Sequence, residues 1–170
     1  LACSILLTPS QDIAEKVAVE VDKQLAKLSR NEIAKKSIES YGRIVVTETM
    51  EEAIDLANEI APEHLELAVE NPFDYLNKIR NAGAIFLGEY SPEPLGDYFA
   101  GPNHTLPTSG TAKFASPLSV DAFIKKSSVI YYTREALSSV KDKIIRIAES
   151  ETLTAHANSI RVRFESDEDE

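Results

Sequence analysis

Three histidines occur in 170 residues, and each stands beside groups with which it could do chemistry. His64 lies in Ala61-Pro62-Glu63-His64-Leu65. An imidazole titrating near neutral pH takes up or delivers a proton, and a carboxylate beside it can orient water. Neighbours on a strand point to opposite faces, but a turn entering a strand can aim both at one cleft. A surface Glu next to a capping or core His would give the same pattern. His104 lies in Gly101-Pro102-Asn103-His104, with Asp97 upstream in Gly96-Asp97-Tyr98. Asp and His both ligate zinc, yet this spacing matches no compact zinc motif, and an Asp after Gly is commonly a turn residue. His156, in Thr154-Ala155-His156-Ala157-Asn158, reads as a helix residue, either a ligand or a surface His. Glu151 precedes it, near the expected start of the same helix but not on its helical face.

These side chains need a frame, and the hydrophobic pattern supplies one. Cys3–Leu7 reads as a buried strand, and Ser10 as the cap of a helix whose stripe is Ile13, Val17, Val21, Leu25 and Leu28. A second helix spans about Asn31–Tyr41 and is ended by Gly42. Strand Arg43–Thr47, helix Met50–Ile60, strand Leu65–Val69, a short helix from Asn71-Pro72 to about Arg80 and strand Gly83–Leu87 follow. This alternation indicates an α/β domain with a mostly parallel sheet and flanking helices. Ligands in such sheets sit beyond the carboxyl ends of the strands. No Gly-x-Gly-x-x-Gly turn or Walker loop marks a dinucleotide site.

Residues 89–117 differ. They hold Pro92, Pro94, Pro102, Pro107 and Pro117 and little periodicity, which predicts a long functional loop. Beyond it, Ser128–Tyr132 reads as a strand, followed by helices to about Glu149 and from about Thr152 to Phe164. The acidic tail from Glu165 is expected to fray. Residues 1–118 are thus expected as an α/β portion, and 119–170 as a small segment with one strand and two helices.

Composition narrows the class. Apolar residues make up 43% and charged residues 27%, which suits a packed core. The net charge of −10 argues against a nucleic-acid partner, and no apolar run is long enough for a membrane span. Cys3 is the single cysteine, so no internal disulfide forms, and a reducing compartment is the simplest reading. The chain opens without Met and directly in apparent structure, which suggests a piece of a longer protein.

Taken together, the blocks Ala61-Pro62-Glu63-His64-Leu65-Glu66, Asn81-Ala82-Gly83-Ala84-Ile85-Phe86-Leu87-Gly88, Gly96-Asp97-Tyr98, Gly101-Pro102-Asn103-His104, Leu106-Pro107-Thr108 and Leu153-Thr154-Ala155-His156 occur in an order that resembles histidinol dehydrogenase. The resemblance runs from about Cys3 to Val162. It implies oxidation of L-histidinol to L-histidine through an aldehyde, with two NAD⁺ and a bound Zn²⁺. Carried over residue by residue, His64 is the general base and Glu63 activates the water that hydrates the aldehyde. Asp97 and His156 are zinc ligands, and His104 and Glu151 bind substrate. The resemblance also implies a cytoplasmic enzyme (or plastid, if from a plant). It implies a homodimer in which the C-terminal segment, 119–170, crosses to complete the partner's site.

Against that pattern, the N-terminal half with most of the NAD-binding region is absent, as is a Gln-x-x-His element bearing two further zinc ligands. The expected fold is then an incomplete Rossmann-like sheet, and the chain alone is expected to be inactive. A non-catalytic dimerisation or assembly module is the alternative. A metal-dependent hydrolase using Glu63, His64, Asp97 and His104 is a more distant one.

Overall fold

Short runs of β-branched residues and leucine pair in parallel, but as two separate pairs rather than one sheet. Strand β1 (Ile5–Thr8) pairs with β2 (Arg43–Val46), Ile5 opposite Arg43 and Thr8 opposite Val46. Strand β3 (His64–Leu67) pairs with β4 (Ala84–Leu87), His64 opposite Ala84 and Leu67 opposite Leu87. The structure, a computed structural model, describes residues 2–165. Parallel strands require crossover connections. Helices α1 (Gln11–Leu25) and α2 (Asn31–Tyr41) make the first crossover, and the single turn α4 (Phe73–Leu76) stands in the second. Helix α3 (Met50–Ile60) joins the two pairs. After β4 come α5 (Glu93–Tyr98) and 3₁₀ turns at Thr111–Lys113 and Val120–Phe123. Residues 1–124 form one compact unit and 125–170 a second, which contains α6 (Arg134–Ser150) and α7 (Thr154–Arg161).

Local chemistry explains the helix starts. Ser10 Oγ accepts from the Ile13 amide at 3.3 Å, so one of the free donors in the first turn of α1 is satisfied, with Ser10 the cap that the sequence predicts. At α3, Thr49 Oγ1 accepts from the Glu52 amide while the Glu52 carboxylate accepts from the Glu48 amide, a reciprocal cap. The stripe is only partly covered: Ile13 of α1 and Leu28, which lies beyond the end of the helix, stay about half exposed. Together with Ile33 and Ile38 of α2, the stripe residues Val17, Val21, Leu25 and Leu28 line an open groove of about 720 Å³.

Helix α3 is the best buried element. Ala53, Ile54, Ala57 and Asn58 are each less than 7% exposed. Asn58 is the polar exception, and both polar atoms of its side chain are engaged. Its Nδ2 donates to the Lys78 carbonyl at 3.0 Å, and its Oδ1 accepts from the Arg80 and Asn81 amides at 2.6 and 3.1 Å. The Asn81 side chain in turn donates to the Asn58 carbonyl at 2.9 Å. One buried amide therefore fixes the turn that delivers the chain into β4. The helix expected to reach Arg80 ends at Leu76 after one turn, and the 80–81 amides bond to Asn58 instead of to helix carbonyls.

Three further expectations are corrected. Ser128–Tyr132 is not a strand: Val129, Ile130 and Tyr131 are more than 80% exposed and irregular. β-branched and aromatic residues favour strands only where another strand takes up their backbone groups, and none does so among the described residues. Residues 89–117 are not one structureless loop, because they contain α5. The division between units falls after Ile124 rather than at 118, since the turn Val120–Phe123 stays with the first unit. The second unit is a helical hairpin in which Thr133 caps α6 and a Glu149–Arg161 ion pair ties α6 to α7. Of the acidic tail, residues 166–170 lie outside the described residues. Among the described residues no helix is long and apolar enough to cross a membrane.

Replacing Asn58 with Ala leaves two amides and a carbonyl without partners in a half-buried turn. Asn58→Ala is expected to destabilise the fold by about 2–3 kcal/mol, measured by urea denaturation.

Candidate active site

The site begins with a backbone feature. Ala61 ends α3 in the left-handed region, at φ 51 and ψ 64, and is fully buried. A non-glycine residue rarely adopts this conformation, and here it turns the chain out of α3 through Pro62 and Glu63 into β3. His64 is the first residue of that strand, and Glu63 sits in the turn before it, half-buried. The β3–β4 pair starts unusually tightly. The Gly83 amide donates to the Pro62 carbonyl at 2.9 Å and the Ala84 amide to the Glu63 carbonyl at 2.8 Å. A Cβ on Gly83 would lie 2.5 Å from the Glu63 carbonyl oxygen.

Side chains alternate along a strand, so His64 and Glu66 share a face, as do their partners Ala84 and Phe86. Helix α5 lies on that face. Gly96 sits directly on the Phe86 ring, where a Cβ would meet Cε1 and Cζ at 2.7 Å. Glu93 and Asp97, four residues apart on α5, then face His64 together. His64 Nε2 stands 3.7 Å from Asp97 Oδ1 and 3.8 Å from Glu93 Oε1. The imidazole also packs against Phe86, with ring centroids 5.9 Å apart. His64 Nε2 is buried and makes no hydrogen bond.

Burial lifts the Glu93 carboxyl above its ordinary range. The hydrogen bond and negative charge that Asp97 presents add to the rise, while His64 opposes it. One imidazole nitrogen and two carboxylates whose ligand atoms lie within 4.8 Å of one another suit a divalent cation such as zinc, which takes N and O ligands. The buried nitrogen without a partner is what such a donor set would leave behind. The residues present fit the implied metal in kind.

Of the residues expected from sequence, the structure brings His64 and Asp97 together, with Glu63 one residue away on the chain. His104 is exposed in the loop between α5 and the turn Thr111–Lys113. Glu151 caps the carboxyl end of α6 rather than starting α7, and His156 lies in the first turn of α7; both are exposed residues of the second unit. The cluster lies over the β3–β4 face at the amino end of β3, not beyond carboxyl strand ends as the fold class suggests. Glu93 was missed from sequence. Its spacing of four from Asp97 has meaning only on a helix, and the signal was Pro92-Glu93-Pro94, with prolines fit to open one.

A model of the family described as histidinol dehydrogenase matches residues 1–164. The chain belongs to the histidinol dehydrogenase family. A relative of that name from Caldanaerobacter subterraneus subsp. tengcongensis is 62% identical over 167 residues, covering 98% of this chain and 39% of the relative. Another from Clostridium acetobutylicum is 58% identical over 164 residues, covering 96% of this chain and 38% of the relative. The crystal structure of histidinol dehydrogenase from Elizabethkingia anophelis is 41% identical, with a TM-score of 0.82, covering 95% of this chain and 37% of that one. The chain thus spans about two-fifths of the length of the curated relatives it matches.

Two predictions follow from the packing and the charges. In an ordinary helix interior, Gly→Ala gains about 1 kcal/mol from propensity. Gly96→Ala is instead expected to lose about 1–3 kcal/mol in denaturant unfolding, because the methyl meets Phe86, and Phe86→Leu in combination should recover part of that loss. A carboxyl whose pKa is higher folded than unfolded holds its proton more tightly in the fold. Its contribution is full below the ordinary carboxylate range and is lost as pH rises through the raised value. In metal-free protein, Glu93→Gln is therefore expected to raise the melting temperature near pH 7, and the gain should vanish below about pH 4.

Proposed function

We propose that this chain supplies the acid–base and much of the ligand chemistry of a zinc-dependent dehydrogenase that oxidises L-histidinol to L-histidine through L-histidinal. Because the chain covers about two-fifths of its relatives, the activity is proposed for an architecture of their full length. The observation that carries the reading is His64 Nε2, buried, without a hydrogen bond and facing Asp97, in a family whose relatives bear that enzyme's name.

His64 takes the hydroxyl proton from the alcohol and later from the hydrated aldehyde. Its Nε2 is engaged by no hydrogen bond and faces the carboxylates of Asp97 and Glu93 at 3.7 and 3.8 Å. Glu63, in the turn before it, orients the water that adds to the aldehyde. Glu151 would accept a hydrogen bond from the substrate's amino group, and His104 adds a polar contact. Asp97 and His156 would hold Zn²⁺, which supplies a fixed positive charge for the substrate's imidazole and amine, while two NAD⁺ accept the hydrides. The 125–170 unit would act across a homodimer, completing the partner protomer's site, and the β pairs would belong to a larger Rossmann-like sheet. A cytoplasmic setting suits this role and the single cysteine.

A second reading is favoured by the cluster itself. His64, Glu93 and Asp97 offer three ligand atoms, so His64 would be a metal ligand instead of the base. One set of experiments separates the two. This chain is tested alone and grafted in place of the matching stretch of the Caldanaerobacter relative, with NADH formation from L-histidinol followed in the presence of zinc and NAD⁺. The chain alone should be inactive and the chimaera active. His64→Asn should lower kcat about 10²–10⁴-fold with zinc content unchanged. Loss of zinc in that variant would make His64 a ligand. An inactive chimaera beside an active parent would remove the proposed activity and leave a non-catalytic assembly module.

A further inference from the structure

We infer that Glu66 is a positioning residue, its carboxylate holding the first turn of α5 so that Glu93 and Asp97 stand against His64. The inference rests on the reading of His64 and Asp97 given above. Glu66 Oε1 accepts from the Glu93 amide at 2.8 Å, across a separation of 27 residues. Glu66 is otherwise an exposed strand residue on the same face as His64.

The hydrogen-bond accounting of α5 shows why this contact matters. A helix leaves its first amides without internal partners, and a capping side chain normally takes one. Here the cap position is Pro92, which has no such side chain, and no side-chain cap bond forms there. The Glu93 amide goes to Glu66. Pro94 has no amide hydrogen to satisfy. The Leu95 amide bonds to the Pro92 carbonyl at 3.0 Å. Glu66 is therefore the group outside α5 that takes a donor of its first turn.

With six residues, α5 is too short to be stable by itself. It is held down by Gly96 on Phe86 and by Glu93 on Glu66, two contacts with adjacent strands. The first fixes its height above the sheet and the second its direction. Without Glu66 the helix can pivot about Gly96, and both carboxylates swing relative to the imidazole. Misplacement by about 1 Å is enough to lower turnover about 100-fold.

The test uses the chimaera described above, with Glu66→Ala and Glu66→Gln. Gln keeps the accepting oxygen and removes the charge. Glu66→Ala should lower kcat about 10–100-fold with a much smaller change in KM, and Glu66→Gln should restore kcat to within about threefold of the parent. Hydrogen exchange of the segment 93–98 should show the Glu93 amide losing protection in Glu66→Ala and keeping it in Glu66→Gln. Three results would each overturn the inference: Glu66→Ala with parental kcat, Glu66→Gln no better than Glu66→Ala, or unchanged protection of the Glu93 amide. If the parent chimaera makes no NADH, the proposed activity fails, and the exchange measurement still decides the role of Glu66.

Discussion

The site depends on how closely α5 can approach β4. A helix normally stands off a sheet by the length of its side chains, but at Gly96 there is none, and the backbone rests on the edge of the Phe86 ring. That approach brings two carboxylates, carried one helical turn apart, to within 3.8 Å of a buried imidazole nitrogen. With any larger residue at 96, Glu93 and Asp97 would stand farther from His64 and the three donors would no longer form one cluster. Gly83 permits a second close approach, letting the start of β4 sit against the Glu63 carbonyl.

Each of these close contacts is set up by something farther from the chemistry. Asn58, deep on α3, holds the 78–81 turn and so decides where Gly83 begins its strand. Ala61 turns the chain by adopting a conformation that alanine ordinarily avoids, at a position where its methyl is wholly enclosed. The strain is local, and the surrounding packing of α3 maintains it. Polar satisfaction and steric exclusion therefore act together: one places the strands, the other brings the helix down on them.

Much of this was legible in the sequence. Ser10 capping α1, Gly42 ending α2 and the apolar runs of β1, β2 and β4 all follow from local preference. His64 and Asp97 were readable as chemically competent residues, and the order of the blocks around them led to the family. Two segments were not legible, for opposite reasons. Val129–Tyr132 has the composition of a strand, but a strand exists only with a partner, which lies outside local sequence. Glu93–Tyr98 contains Pro and Gly and reads as a breaker, yet it is helical because β3 and β4 supply the contacts it cannot supply itself. Glu93 and Glu66 escaped notice with it, since their meaning depends on that packing.

The separation of the strands into two pairs bears on how the molecule assembles. Forming a parallel pair means bringing distant points of the chain together, and the entropy lost rises with the length of the intervening loop. His64 and Ala84 are about half as far apart along the chain as Ile5 and Arg43, and each doubling adds about 0.6 kcal/mol. The pair that carries the imidazole therefore closes over the shorter loop, and in the folded chain Asn58 ties the 78–81 turn before β4 to the helix before β3. Loop closure thus costs less entropy for the β3–β4 pair than for the β1–β2 pair.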